Sequence, residues 1–154
     1  MERLEWSAEF ELGIDVIDAQ HRRIVDYINE LCEVEDSAGD REVVSRVLHN
    51  LVDYTVSHFA FEEALLEEVD YATLAPHQRT HQSFIRRIDD LKSRFEQGEW
   101  VVAELGGLLQ TWLIDHIQSE DARYAPEVRK RFLSRDSVDQ RSWVERAAAR
   151  FFGR

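Results

Sequence analysis

The chain has 154 residues, of which 44% are hydrophobic, and this is enough for one domain with a sizeable core. Its formal net charge of −12 disfavours nucleic-acid binding, because an acidic surface repels phosphate. The single cysteine, Cys32, and the lack of an apolar signal segment or an 18-residue apolar run predict a cytoplasmic protein without disulfides.

The spacing of apolar residues predicts long helices behind an N-terminal arm. The arm covers residues 1–17 and carries the aromatic anchors Trp6 and Phe10. Apolar positions then recur at helical spacing in four segments, over about residues 18–35, 41–69, 76–98 and 100–124. Turn residues at 36–40 separate the first two, and Pro76 and Gly98 suit the first turn and the end of the third. An all-α, up-down-up-down four-helix bundle is the predicted fold.

A C-terminal extension follows the predicted bundle of residues 1–125. Pro126 is expected to interrupt the fourth helix, and short helices are predicted around residues 127–133 and 138–151. Residues 122–154 carry nine basic and four acidic residues, a net charge of +5, whereas residues 1–121 have a net charge of −17. The last helix is amphipathic. The apolar residues Trp143, Ala147 and Phe151 align on one side, and arginines occupy other positions: Arg141, Arg146, Arg150 and Arg154.

Three roles remain open for residues 126–154. The extension packs on the acidic bundle, docks to a protein partner, or contacts an anionic membrane surface. In the fourth helix, Gly106 and Gly107 predict a close approach by a neighbouring helix or a small ligand.

Five of the six histidines are distributed so that they can converge in the core of such a bundle. His21 stands on the first predicted helix, and the other three helices carry His58 with Glu62, His77 with His81, and His116 near an acidic pair. Residues four apart share a helix face, and imidazole and carboxylate are ligands for iron, zinc or manganese. His49 has no such partner and is assigned no role. If two six-coordinate ions are bound by five histidines, two bridging carboxylates and one bridging oxygen, one coordination position stays open.

The second bridging carboxylate is ambiguous from spacing alone. Asp121 lies five residues after His116, about 140° away around a regular helix, whereas Glu120 lies on the same face as His116. Asp121 reaches the centre only if the helix is distorted there, for example by a π-bulge. Glu63, Asp115 and Asp53 are candidates for orienting the histidines, or are solvated surface acids.

Taken together, these residues resemble the hemerythrin family, and more closely its bacterial members. The matching motifs are His21, His58-Phe59-x-x-Glu62, His77-x-x-x-His81 and Trp112-Leu113-x-x-His116-Ile117-x-x-x-Asp121. The segment Gly13-Ile14-Asp15-x-Ile17-Asp18-x-Gln20-His21 and Trp6 are similar too. The resemblance covers about residues 4–125, and it favours Asp121 over Glu120.

The resemblance implies a di-iron centre that binds O2 reversibly. It assigns one iron to His77, His81 and His116 and the other to His21 and His58. Glu62 and Asp121 would bridge the two irons, together with an oxo or hydroxo group. An apolar pocket around the open position is implied for Ile24, Phe59, Trp112, Leu113 and Ile117, which are also ordinary core positions. The implied protein is a monomer that stores, transports or delivers O2 and is not primarily an enzyme.

Several alternative functions fit the sequence less well. A ferritin-like di-iron oxidase needs Glu-x-x-His pairs, and only Asp18-x-x-His21 approaches that pattern. A zinc hydrolase would leave two histidines unexplained, and His-Glu-x-x-His is absent. A sensor of O2 or redox state acting through the extension, or an enzyme that handles NO or peroxide, would use the same fold. The lack of a fused signalling domain favours storage or delivery.

Overall fold

The computed structural model describes residues 3–36 and 40–153, and within them the chain is all-helical with no β-strand, as predicted. The α-helices are α1 (Asp15–Asp36), α2 (Arg41–Glu68), α3 (Leu74–Glu96), α4 (Val102–Asp115), α5 (Ala122–Arg131) and α6 (Ser137–Phe152). A 3-10 turn spans Ala8–Phe10, and a π-helix spans His116–Asp121. None of the described helices is long and apolar enough to cross a membrane.

The first four helices form the predicted bundle. Helix α1 packs against α2 and α4, and α2 packs against α3, which is the neighbour order of an up-down-up-down bundle. The backbones of α3 and α4 approach each other less closely than those three pairs do. One continuous hydrophobic core joins the helices.

Local signals mark some of the predicted helix ends, whereas α1 begins at Asp15, inside the segment predicted as the arm, and α3 begins at Leu74. The Asp40 side chain accepts a hydrogen bond from the Glu42 amide at 2.9 Å and caps α2. Pro76 lies in the first turn of α3, and Gly98, with φ of 104°, follows its end. The turn predicted at 36–40 falls mostly on residues 37–39, which lie outside the described residues.

The expectation that Pro126 interrupts the chain is wrong. Helical structure runs without a break from Val102 to Arg131, through α4, the π-helix and α5, with Pro126 inside α5. Pro126 is the fifth residue of α5, and it has no amide proton to donate to the preceding turn, yet the helix continues through it. Helix α5 therefore crosses the boundary expected between residues 125 and 126.

The extension packs against the outer side of α2. Phe61, fully buried on that side, contacts Trp143 and Phe152 of α6, with ring centroids 5.4 and 6.1 Å apart. Arg131 Nη1 donates to the Val69 carbonyl at 2.6 Å, and Arg135 pairs with Glu68 at 2.8 Å. The extension therefore lies on the acidic bundle, as one of its three predicted roles requires.

The N-terminal arm is anchored beside the beginning of α1. The rings of Trp6 and Phe10 lie 5.5 Å apart, and Phe10 is buried. The buried Asp18 carboxylate accepts hydrogen bonds from the amides of Leu12 and Gly13 at 2.8 and 3.2 Å. These contacts fix the first turns of α1, the helix that carries His21.

Candidate metal centre

All seven side chains of the predicted ligand set come together in the bundle interior. His21 comes from α1, His58 and Glu62 from α2, His77 and His81 from α3, and His116 and Asp121 from the π-helix. Their donor atoms form two groups, within each of which every atom lies within 4.8 Å of the others: Glu62, His77, His81 and His116; and His21, His58, Glu62 and Asp121. All seven are buried. The chain therefore contains a metal-binding site of imidazoles and carboxylates.

Glu62 lies between the two groups. Its Oε1 is 2.5 Å from His77 Nε2 and 3.1 Å from His81 Nε2. Its Oε2 faces the other group, 3.3 Å from His58 Nε2 and 4.0 Å from His21 Nε2. One oxygen of the carboxylate therefore points toward each set of histidines.

Asp121 has the same arrangement from the opposite side. Its Oδ2 is 3.0 Å from His21 Nε2, and its Oδ1 is 2.9 Å from His116 Nε2 and 3.6 Å from His77 Nε2. Each carboxylate therefore presents one oxygen to each set of histidines.

The π-helix explains why Asp121, and not Glu120, reaches the centre. Hydrogen bonds from residue i to i+5 widen the turn, so that residues five apart come onto one face. Glu120 instead lies behind His116, with its Oε2 3.3 Å from the Nδ1 atom that faces away from the centre. The distortion expected from the spacing of His116 and Asp121 is present.

Several buried polar atoms at the centre have no hydrogen-bond partner among the described residues. They are His21 Nδ1 and Nε2, His58 Nε2, and both carboxylate oxygens of Asp121. The close approach of His21 Nε2 to Asp121 lacks hydrogen-bond geometry. Unpartnered buried polar groups are costly, and bound cations would satisfy imidazole nitrogens and carboxylate oxygens of this kind. The donor set therefore fits a pair of borderline metal ions such as iron.

Three of the histidines are oriented through their other ring nitrogen. Gln20 Oε1 lies 2.7 Å from His58 Nδ1, Glu63 Oε2 lies 3.3 Å from His81 Nδ1, and Glu120 holds His116. Such partners fix the ring and direct Nε2 toward the metal. Glu63 was among the predicted partners, whereas Gln20 was not. Asp53 and Asp115, the other two predicted partners, are exposed, and Asp115 accepts from Ser119.

Tyr124 is a functional residue that the spacing of the motifs did not indicate. Its hydroxyl donates to Glu62 Oε2 at 3.1 Å, and the side chain is fully buried. Burial, together with the negative charges of Asp121 and Glu62, raises the pKa of Tyr124 well above its ordinary value. The hydroxyl therefore stays protonated and holds one oxygen of Glu62 in place.

Burial and charge set the protonation states of the metal-free centre. Burial lowers the pKa of His58 to about 4, although Glu62 opposes this, so His58 is a neutral imidazole near pH 7. Burial alone would raise the pKa of Glu62, but His116 and the other histidines hold it well below its ordinary range. Burial would lower the pKa of His116, but the charge of Asp121 raises it well above its ordinary value. The carboxylates are therefore ionised and ready to bind cations.

Aromatic rings cover the three-histidine side of the centre. Phe59 stacks on His81 at 4.0 Å with an interplanar angle of 10°, and Trp112 stacks on His116 at 4.4 Å and 14°. Phe59 and Trp112 meet edge to face at 5.1 Å. The other predicted pocket residues, Ile24, Leu113 and Ile117, are buried in the same core, whereas Trp112 is only half-buried.

A buried pair of histidine–carboxylate groups inside four antiparallel helices defines a class of bundle metalloproteins. The Hemerythrin HHE cation binding domain matches residues 12–128 of this chain. The chain belongs to the hemerythrin family.

Known relatives match the chain along its length. It is 43% identical to a bacteriohemerythrin of Stenotrophomonas maltophilia (strain R551-3) over 155 aligned residues, 99% of this chain and 100% of the relative. It is 42% identical to a bacteriohemerythrin of Pseudomonas aeruginosa (strain UCBPP-PA14) with the same coverage. A crystal structure of wild-type hemerythrin superposes with a TM-score of 0.76 at 32% identity, covering 82% of this chain and 98% of that one. Because the first two alignments include residues 126–154, those relatives share the extension.

Proposed function

We propose that this protein binds O2 reversibly at a di-iron centre and serves to store, transport or deliver it. The observation that carries the proposal is the pair of histidine groups joined by Glu62, which belongs to both, with Asp121 3.0 Å from His21 in one group and 2.9 Å from His116 in the other. Two bridged ions held mainly by imidazole leave a position for a small ligand such as O2. Membership of the hemerythrin family supports iron as the metal.

The proposed ligand assignment follows the two groups. His77, His81 and His116 hold one iron, and His21 and His58 hold the other, with Glu62 and Asp121 between them. The second ion has fewer protein donors, so it keeps the open position. Iron bound at this centre would supply the electrons that O2 accepts on binding and returns on release.

The chain's own residues keep the site ready for O2. Gln20, Glu63 and Glu120 fix imidazole rings, and Tyr124 fixes Glu62. The apolar residues of the core would exclude water from the centre, and Phe59 and Trp112 do so on the three-histidine side, where they stack on His81 and His116. The proposed set is Ile24, Phe59, Trp112, Leu113 and Ile117.

A carrier is favoured over an enzyme by what surrounds the centre. In the described part of the chain, the titratable side chains in contact with the centre are proposed ligands or hydrogen-bond partners of one. None is left to act as a general acid or base. We further propose a monomeric cytoplasmic protein whose acidic bundle does not bind nucleic acid.

Sensing of O2 or redox state is a second candidate, supported by one contact. Trp143 of α6 packs on Phe61, the residue before Glu62 on α2. If metal oxidation moved Glu62, the movement would therefore be transmitted to the extension through Phe61. Hydrogen exchange of α6, compared between the reduced and oxidised proteins, tests this candidate: a change in exchange supports sensing, and equal exchange opposes it.

Metal content and the visible spectrum test the main proposal. The anaerobically reduced protein is expected to hold about two irons per chain and to be colourless. Exposure to air should produce oxo-di-iron charge-transfer bands, and purging O2 should remove them. Bands that persist after purging would point to sensing or enzymatic use. A protein with no iron or a single zinc would contradict the proposal.

A further inference from the structure

A basic groove runs along the surface between α3 and α4. Two adjoining cavities of about 740 and 420 Å³ line it and share Ser83 and Arg87. Gly107 faces the larger cavity, and a Cβ atom there would meet nothing within 4 Å. Of the two alternatives expected at Gly106 and Gly107, no helix approaches Gly107 closely, and the space beside it is open to an outside molecule.

The charge of this groove is opposite to that of the surrounding bundle. Arg79, Arg86 and Arg87 are exposed along it, and no ion pair with a described residue neutralises them. Arg94, at the far end, is held by Glu99 and Glu104, which leaves Asp90 as the other acid of the groove. The groove is thus a local positive surface on residues 1–121, whose net charge is −17.

The floor of the groove is in contact with the metal centre. Trp112 and Phe84 line the smaller cavity and stack on each other at 3.7 Å with an angle of 12°. The Trp112 ring also stacks on His116, whose Nε2 atom faces Glu62 and Asp121. One half-buried aromatic ring therefore separates the groove from a ligand of the proposed iron pair.

We propose that the α3–α4 groove is the docking site of an acidic one-electron carrier protein, and that Trp112 lies on the path by which its electrons reach the iron. The inference rests on the proposed di-iron function. Each transfer oxidises the carrier by one electron and takes one iron from ferric to ferrous, and no atom moves through the groove. Two transfers restore the diferrous pair that binds O2 after it has been lost to autoxidation.

Charge complementarity favours an acidic protein over a nucleic acid. The net charge of −12 repels a long polyanion whose contacts extend beyond the groove. The acidic edge of a small protein meets mainly the local arginines, because charges farther away than about 8 Å are screened at physiological ionic strength. Such local complementarity accelerates encounter and fixes orientation.

Charge reversal in the groove tests the docking. The probe is reduced flavodoxin, an acidic flavin protein, mixed with the diferric protein in a stopped-flow experiment. The variant Arg86→Glu/Arg87→Glu is expected to be reduced at least about tenfold more slowly at low salt, with the difference lost at high salt. Arg46→Glu/Arg23→Glu, the same charge change on α2 and α1, is the matched control and should stay within about twofold of the unaltered protein.

Two other reductants separate the possible outcomes. The cationic methyl viologen radical should reduce the groove variant no more slowly than the unaltered protein. Slower reduction by dithionite, a small anion, without an effect on flavodoxin would identify a small-anion site and overturn the proposal. An equal effect of the control variant would attribute the result to total charge and would also overturn it. Tighter binding of an RNA oligonucleotide than of flavodoxin at the groove would do the same.

The role of Trp112 has its own measurement. Trp112→Leu is expected to lower the first-order reduction rate at saturating flavodoxin more than it lowers flavodoxin affinity, and Trp112→Phe should restore most of that rate. An unchanged limiting rate in Trp112→Leu would remove this residue from the path.

Titration of the metal-free protein with oxidised flavodoxin gives a readout that needs no iron. Weaker binding to the groove variant, with normal binding to the control, supports docking even if iron or O2 binding fails. If iron content and reversible O2 binding are normal but the groove variant binds flavodoxin and is reduced normally, this inference fails while the proposed function stands.

Discussion

The bundle interior and the C-terminal extension use charged residues in opposite ways. In the interior, Glu62 and Asp121 are fully buried, and both oxygens of Asp121 and the Nε2 atoms of His21 and His58 have no hydrogen-bond partner among the described residues. In the extension, Arg131 and Arg135 lie at the surface and bind a carbonyl and Glu68 of the bundle. Buried charge without a partner is costly, whereas exposed ion pairs contribute little to stability. The interior is therefore built for a ligand, and the extension is built to be held in place.

The two regions also differ in what secures them. The interior depends on four helices that each deliver donor atoms to one point. The extension depends on aromatic packing of Trp143 and Phe152 on Phe61. Substitutions in one region should therefore leave the other region largely intact. Five predictions, in order of decreasing expected effect, test the two regions and the groove.

Removal of the shared carboxylate should abolish the metal centre. Glu62→Ala is expected to lower metal affinity by more than about 100-fold for both ions, since loss of a mere orienting partner costs 10- to 100-fold. His49→Ala is the matched control, because His49 binds the Ser45 carbonyl outside the centre. Iron analysis after gel filtration measures both. Retention of two irons by Glu62→Ala would contradict the bridging role.

Truncation of a large ring in the extension should cost stability and spare the metal. Trp143→Ala is expected to lower the free energy of unfolding by about 3 kcal/mol, because it removes the cover of Phe61. Val138→Ala, an exposed change on the same helix, should cost less than about 0.5 kcal/mol. Urea unfolding and iron content are measured together. Loss of iron from folded Trp143→Ala would mean that the two regions are not separable.

Loss of one hydroxyl should weaken the centre without unfolding the bundle. Tyr124→Phe removes the hydrogen bond to Glu62 and is expected to reduce metal affinity by about 30-fold, equivalent to about 2 kcal/mol. Tyr71→Phe serves as the control, since the Tyr71 ring only packs edge-on against Tyr124. Competition with a metal chelator gives both affinities, and equal values would exclude a role for the hydroxyl.

Metal uptake should release protons at neutral pH. Without metal, the pKa values of His116 and His81 are raised by neighbouring carboxylates against the effect of burial, so both tend to carry a proton that a ligand must lose. His58, with a pKa of about 4, contributes none. Metal affinity should therefore rise with pH, by about tenfold per unit for each proton released. Calorimetry in two buffers of different ionisation enthalpy measures the release, and identical heats would contradict it.

The smallest expected effect is a gain in stability at the groove. Gly107→Ala adds a methyl group that meets nothing within 4 Å, inside a helix where glycine is unfavourable. The free energy of unfolding should rise by about 1 kcal/mol. Gly98→Ala, at a φ of 104°, should do the opposite. Thermal unfolding distinguishes them, and a loss of stability in Gly107→Ala would mean that the groove is not open.

The sequence alone predicted those features of the site that depend on the spacing of residues within one helix. The pairs His58 with Glu62 and His77 with His81 share helix faces by periodicity alone, so their convergence followed from the bundle. Asp121 was predictable only with the distortion that the π-helix supplies. The ligand roles themselves remain predictions that metal analysis must test.

Contacts between distant parts of the chain were not accessible from spacing. Gln20 meets His58 across 38 residues, and Tyr124 meets Glu62 across 62. Phe61 is buried only because α6 covers the outer side of α2, and no pattern within α2 indicates that partner. Tertiary packing decides such positions, and local periodicity does not encode it.

The most direct test of the central claim is anomalous diffraction at the iron absorption edge from crystals of the iron-loaded protein. The account predicts two peaks per chain, about 3.5 Å apart, one beside His77, His81 and His116 and one beside His21 and His58, with Glu62 and Asp121 contacting both. A single peak, or two peaks that do not share these carboxylates, would contradict it.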